Sequence, residues 1–116
     1  MKTKAGNQFA SKLSGVFKRI ESAAMGGVGT SVEVIAGEIV PLAPRDTGDT
    51  AAAVDTTDPV RVGDVISATV VIATPGVGSI EYGDRNQAAQ PFARPGFDAS
   101  KDNAVRSIVA PIVRAI

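Results

Sequence analysis

Ten apolar residues, spaced almost throughout by three or four positions, run along the first third of this chain. They are Phe9, Leu13, Val16, Phe17, Ile20, Ala24, Val28, Val32, Ile35 and Ile39. That spacing lines one face of an α-helix, and a helix this long commits a large share of the chain to one rod. Gly26, Gly27 and Gly29 interrupt the stripe. Glycine in a helix interior costs about 1 kcal/mol relative to alanine. The stripe therefore predicts two helices or one long bent helix, closed by Pro41 and Pro44.

The pattern then changes. Residues 41–64 are punctuated by Pro, Asp, Thr and Gly, which predicts turns, with a short strand near residues 51–54. Residues 64–74, DVISATVVIAT, are the strongest strand, rich in β-branched side chains. Alternation puts Ile66, Ala68, Val70 and Ile72 on one side, against the helices, and Val65, Ser67, Thr69, Val71 and Ala73 on the other. Pro75-Gly76 predicts a turn and residues 77–82 a second strand. Residues 83–96 read as irregular. A last helix follows, with Phe97, Lys101, Val105, Ile108, Val109, Ile112, Val113 and Ile116 on one face. Asp98 and Asp102 suit the positive end of its dipole, and Pro111 should kink it or stop it near Ala110.

The sum is one α+β domain over residues 1–116. It has an N-terminal helix, long and bent or split, a small antiparallel sheet, and a C-terminal helix packed on one sheet face. The other sheet face has no cover within the chain, and a neighbouring subunit is one way to supply it. Apolar residues make up 44% of the chain but aromatics only 4%, so Val, Ile and Ala must build the core. Each buries less area than a ring, and the thin margin is one that partner subunits raise by mass action.

Charge and chemistry narrow the function. There is no cysteine and no histidine. Thiolate metal sites, Cys nucleophiles and the commonest general base are thereby absent, and no cofactor is implied. Twelve basic residues balance twelve acidic ones, which argues against a dedicated nucleic-acid binder. The balance is uneven along the chain. Lys2, Lys4, Lys12, Lys18 and Arg19 cluster before residue 25, and seven acids lie between Glu33 and Asp64. Such a sign change suits head-to-tail packing of copies. No apolar run reads as long enough to span a bilayer, so no membrane partner is expected.

Three short segments stand out. Asp46-Thr47-Gly48 has the catalytic tripeptide of aspartic proteases, whose paired carboxylates share a proton and activate water. Here Pro44-Arg45 precede it and Asp49 follows, surroundings that suit a turn better. Glu81-Tyr82-Gly83 carries the only tyrosine, placed either to cap the core or to stack at an interface. In Gln90-Pro91-Phe92-Ala93-Arg94-Pro95 the prolines stiffen the backbone. Phe92 is free to dock in an apolar pocket while Arg94 reaches an acid, its own or a neighbour's.

Ala43-Pro44-Arg45-Asp46-Thr47-Gly48 after an amphipathic helix, then Ile80-Glu81-Tyr82-Gly83, then Gln90-Pro91-Phe92-Ala93-Arg94-Pro95 before a C-terminal helix, together resemble the tail-completion (head–tail joining, neck) family of long-tailed bacteriophages. The resemblance covers nearly the whole chain. It implies a non-enzymatic virion protein made in the bacterial host cytoplasm. It implies a homo-oligomeric ring, commonly a hexamer, between a head-closure protein and a tail-terminator or tail-tube protein. DNA would pass through the lumen unread, helped by acids 46–64 if they line it. The assembly motifs would be Asp46, Thr47, Gly48, Glu81, Tyr82, Gly83, Pro91, Phe92, Arg94 and Pro95. Other readings are a tail-terminator or related phage assembly ring, a homodimeric aspartic protease using Asp46, and a DNA binder using Lys12, Lys18 and Arg19.

Overall fold

A computed structural model describes residues 4–45 and 48–116. The elements in order are α1 (Lys4–Ile39), a 3-10 turn (Val40–Leu42), α2 (Asp49–Ala52), β1 (Val54–Thr56), β2 (Val60–Val62), β3 (Val65–Ser67), β4 (Val70–Ile72), α3 (Val77–Tyr82) and α4 (Ala93–Ala115). The class is α+β: two small antiparallel ladders follow the long N-terminal helix in the chain, and the long C-terminal helix packs chiefly on that helix rather than on a sheet face.

The glycines do not break α1, and one of them, Gly27, is required by the helix packed against it. A Cβ on Gly27 would lie 2.8 Å from the Ser107 carbonyl oxygen and 2.9 Å from the Ile108 Cα. At the other end of the contact, a Cβ on Gly96 would lie 2.8 Å from the Ile39 Cα. The two helices therefore run antiparallel with their backbones nearly touching, and the residues buried along the contact are mostly small: Gly27 and Ser31 from α1, with Gly96, Ser100 and Ala104 from α4. The propensity cost of the glycine is offset by the dispersion contacts that close approach allows. The serines bring no unpaired hydroxyl, since Ser31 Oγ donates to the Val28 carbonyl (2.7 Å) and Ser100 Oγ to the Gly96 carbonyl (2.8 Å).

Nor does Pro111 stop α4, which continues to Ala115. Its ring removes the N–H that would have met the Ser107 carbonyl, and that carbonyl is the one lying over Gly27. The face α4 buries only partly coincides with its apolar stripe. Gly96, Ser100 and Ala104 turn fully inward and Ile108 and Ile112 are half-buried, while Phe97, Val105, Val109, Val113 and Ile116 stay exposed.

The 64–74 segment keeps its predicted alternation. Ile66, Ala68, Val70 and Ile72 are half-buried, and the residues between them are exposed. Its ladder changes partner midway, however. β3 pairs with β2 (Val60 opposite Ser67) and β4 with β1 (Val54 opposite Ile72), so one hairpin is nested inside another. Of residues 51–54, expected as a short strand, Ala51 and Ala52 close the helical turn α2 and Val54 opens the strand β1.

The largest correction concerns residues 77–82, which are helix rather than strand. Helical spacing sends Val77 and Ile80 together into the core and leaves Tyr82 outside; an alternating strand would have put Ile80 and Tyr82 on the same side. That core is centred on Ile39, Ala43 and Phe92, packed around by Ile35, Val54, Val70 and Ile72 among others. Aliphatic residues dominate it, as the composition required, and Phe92 is its one fully buried ring.

Candidate functional site: a three-segment junction

The short helix α3 exists to place one carboxylate. Glu81 is 7% exposed and faces the start of α4. Its Oε2 accepts hydrogen bonds from the backbone N–H of Phe92 (2.8 Å) and Ala93 (3.0 Å), and its Oε1 accepts one from Arg94 N–H (2.9 Å). The next residue is Pro95, which has no N–H to satisfy. A helix start leaves four donors without helical acceptors. Here three bond to one side chain and the fourth does not exist, so every donor is accounted for. Asp98 and Asp102 lie beyond the first turn, because α4 begins earlier than its sequence pattern suggested.

Burial pushes the Glu81 carboxyl up. The backbone N–H bonds from Phe92, Arg94 and Ala93, aided by the Arg94 guanidinium, outweigh that and hold it below the ordinary value. Arg94 itself lies over the Tyr82 ring, 5.5 Å from its centroid, a cation–π geometry on an exposed surface. Gly83 ends α3 at φ 77°, and a Cβ there would lie 2.7 Å from the Ala89 nitrogen, so only glycine fits. Beyond it, Asp84 Oδ1 accepts from the N–H of Asn86 (2.7 Å) and Gln87 (3.0 Å). Gln90 N–H then donates to the Ile80 carbonyl (2.7 Å), which fastens the 83–90 loop back onto α3.

The sequence-derived residues thus divide. Glu81, Gly83, Phe92 and Pro95 build the junction, and Ala43 from the first motif touches Phe92 in the core. Tyr82, at 73% exposure, Pro91 and Arg94 lie on its surface. Gly48 stands at φ 77° before α2; Asp46 and Thr47 lie outside the described residues. Sequence reasoning named Glu81 but missed its task, since nothing local connects residue 81 to the amides of residues 92–94. Among the described residues no group of His, Cys, Asp and Glu has metal-binding geometry.

The molecule as a whole exposes an unusually large surface. The molecule measures 74 × 22 × 19 Å with a radius of gyration of 20.0 Å, against about 13 Å for a compact chain of this length. Its accessible surface is 7921 Å², where a compact monomer of 11.8 kDa would expose roughly 5,900 Å². Helix α1, read through Leu42, also holds an 18-residue window long and apolar enough by composition to cross a membrane, with 22% of it buried. This corrects the reading of the apolar runs: Gly, Ser and Thr dilute the stripe without adding charge. Compared with known proteins, the chain matches no family model, no curated protein and no solved structure.

Proposed function

We propose that this chain is a structural, non-enzymatic protein of the phage neck, which forms a homo-oligomeric ring joining the DNA-filled head to the tail. The observation that carries the reading is that one residue from each of the three resemblance segments meets at one place. Residues 43–48, 80–83 and 90–95 are far apart in sequence, yet Ala43, Glu81 and Phe92 meet at one junction where α1 ends and α4 begins. These three residues work as a unit of architecture, which is what an assembly protein needs where its signature segments meet.

Exposed apolar surface on an extended body supports the same reading, because a subunit completes its burial against neighbours. On this proposal the ring, commonly of six copies, sits between a head-closure protein and a tail-terminator or tail-tube protein, and DNA passes through unread. The test is electron microscopy of a lysate from the source phage or prophage carrying an early nonsense mutation in this gene. Filled heads and separate finished tails in one field support the role; intact infectious particles overturn it.

A further inference from the structure

Helix α1 outruns everything that packs on it. Gly27 lies beside Ile108 and Ile39 beside Gly96, so at 1.5 Å per residue in both helices Ile116, the C-cap of α4, is level with about residue 19 of α1. On the flank of α1 the β2–β3 hairpin reaches the same level, where Arg61 pairs with Glu21 (2.6 Å). Residues 4–18 therefore project as a helical arm of about 22 Å, and residues 4–14 are all exposed. Along one side of the arm Phe9 is 67%, Leu13 40% and Phe17 61% exposed. They continue the stripe that α4 covers further on.

The other end of the molecule carries a matching recess. An apolar groove of about 520 Å³ lies between α1, β4 and α4, floored by Val32, Ile35, Val70 and Ile72 and edged by Tyr82 and Phe97. It is some 35–40 Å along α1 from Phe9, by the helix rise, so a chain cannot fill its own groove with its own arm. We propose that the arm of one copy docks its Phe9–Leu13–Phe17 face in the groove of the next, joining copies head to tail. This deepens the assembly reading above by naming the contact that builds the ring.

Charge and area both select a second copy as the occupant. Five of the twelve basic residues but only one of the twelve acidic residues lie in residues 1–21, so this segment has a formal charge of +4 and the remainder −4. Over the whole subunit arm against body is attractive, with Arg94 the one cation among the described residues lining the groove itself, whereas arm against arm would set like charges together. A standard interface buries about 800 Å² on each partner. A head-to-tail subunit uses two faces, and about 1,600 Å² is most of the roughly 2,000 Å² by which this chain exceeds a compact monomer. Unlike a two-fold contact, this pairing leaves an arm free at one end and a groove at the other, and so propagates until a ring closes.

The test uses the full chain in sedimentation velocity, with circular dichroism to confirm folding. The arm variant is Phe9→Asp with Phe17→Asp, and the groove variant is Phe97→Lys; all three positions are exposed in the single subunit. The wild type is expected to form oligomers, and each variant to raise the dissociation constant at least about tenfold. Mixed in equal amounts, the two variants should yield a dimer and nothing larger, because only one intact arm and one intact groove remain to pair. A monomeric wild type, a groove variant that still oligomerises, or a mixture that stays monomeric overturns the proposal. So does flotation of a monomeric wild type with anionic lipid vesicles, abolished in the arm variant, which would assign the arm to a membrane. Oligomers that obey the mixing rule keep this contact even if the nonsense mutant makes normal particles.

Discussion

Glu81 should hold α4 onto the fold, and the strength of that hold is calculable. In Glu81→Gln one oxygen remains, and an NH2 group faces donors that need an acceptor. Hydrogen bonds to a charged group contribute about 1.5–3 kcal/mol each, but the three bonds of Glu81 share two oxygens and are not additive. Loss of an ordinary N-cap costs about 0.5–2 kcal/mol. The buried, three-donor arrangement puts Glu81→Gln at about 2 kcal/mol and Glu81→Ala at about 4 kcal/mol. At roughly 4 °C per kcal/mol for a chain of this size, Gln lowers Tm by about 8 °C.

The assay is thermal and urea unfolding by far-UV circular dichroism at one protein concentration, repeated from pH 7 to pH 3. The folded-state pKa of Glu81 lies below its ordinary 4.5. Its contribution is therefore whole above the unfolded value and fades as pH falls through the folded one. Gln does not titrate, so the gap between the two proteins should be full at pH 7 and shrink below pH 4.5. Asp84 is also held low, by the N–H of Asn86, the Ser79 hydroxyl and the N–H of Gln87. It titrates in both proteins and cancels in the comparison. Equal stability at pH 7, or an unchanged gap at pH 3, would refute the capping argument.

Neighbouring glycines should respond with opposite signs. Gly26→Ala, with nothing within 4 Å of the new Cβ, should stabilise by about 0.5–1 kcal/mol; Gly27→Ala, driven into the α4 backbone, should destabilise by about 1–3 kcal/mol, both read from urea midpoints. Phe92→Ala should cost about 3–5 kcal/mol, whereas Tyr82→Ala, largely exposed, should change subunit stability by less than about 0.5 kcal/mol. Gly83→Ala should destabilise through both its φ and its contact with Ala89, by about 1–3 kcal/mol, again in urea unfolding.

Period and punctuation alone determined much of this protein. The stripe from Phe9 to Ile39 specified a helix, Pro41 and Pro44 its end, and the 64–74 alternation the side that packs inward, because each signal repeats over enough residues to outweigh local ambiguity. Six residues at 77–82 carry no such redundancy. Differences in local preference there are tenths of a kcal/mol, and three hydrogen bonds from amides more than ten residues away decide for helix. Glycine at position 27 reads locally as a break, and only the backbone of α4 pressed against it makes continuity favourable. Likewise the stripe on α4 announced a buried face, yet the close crossing buries Gly96, Ser100 and Ala104 most deeply, half-buries Ile108 and Ile112, and leaves Phe97, Val105, Val109 and Val113 outside. Short-range energies along the chain set the elements that are long. Where an element is short, or where two backbones meet, contacts between distant residues outweigh local preference, and only the tertiary structure contains them.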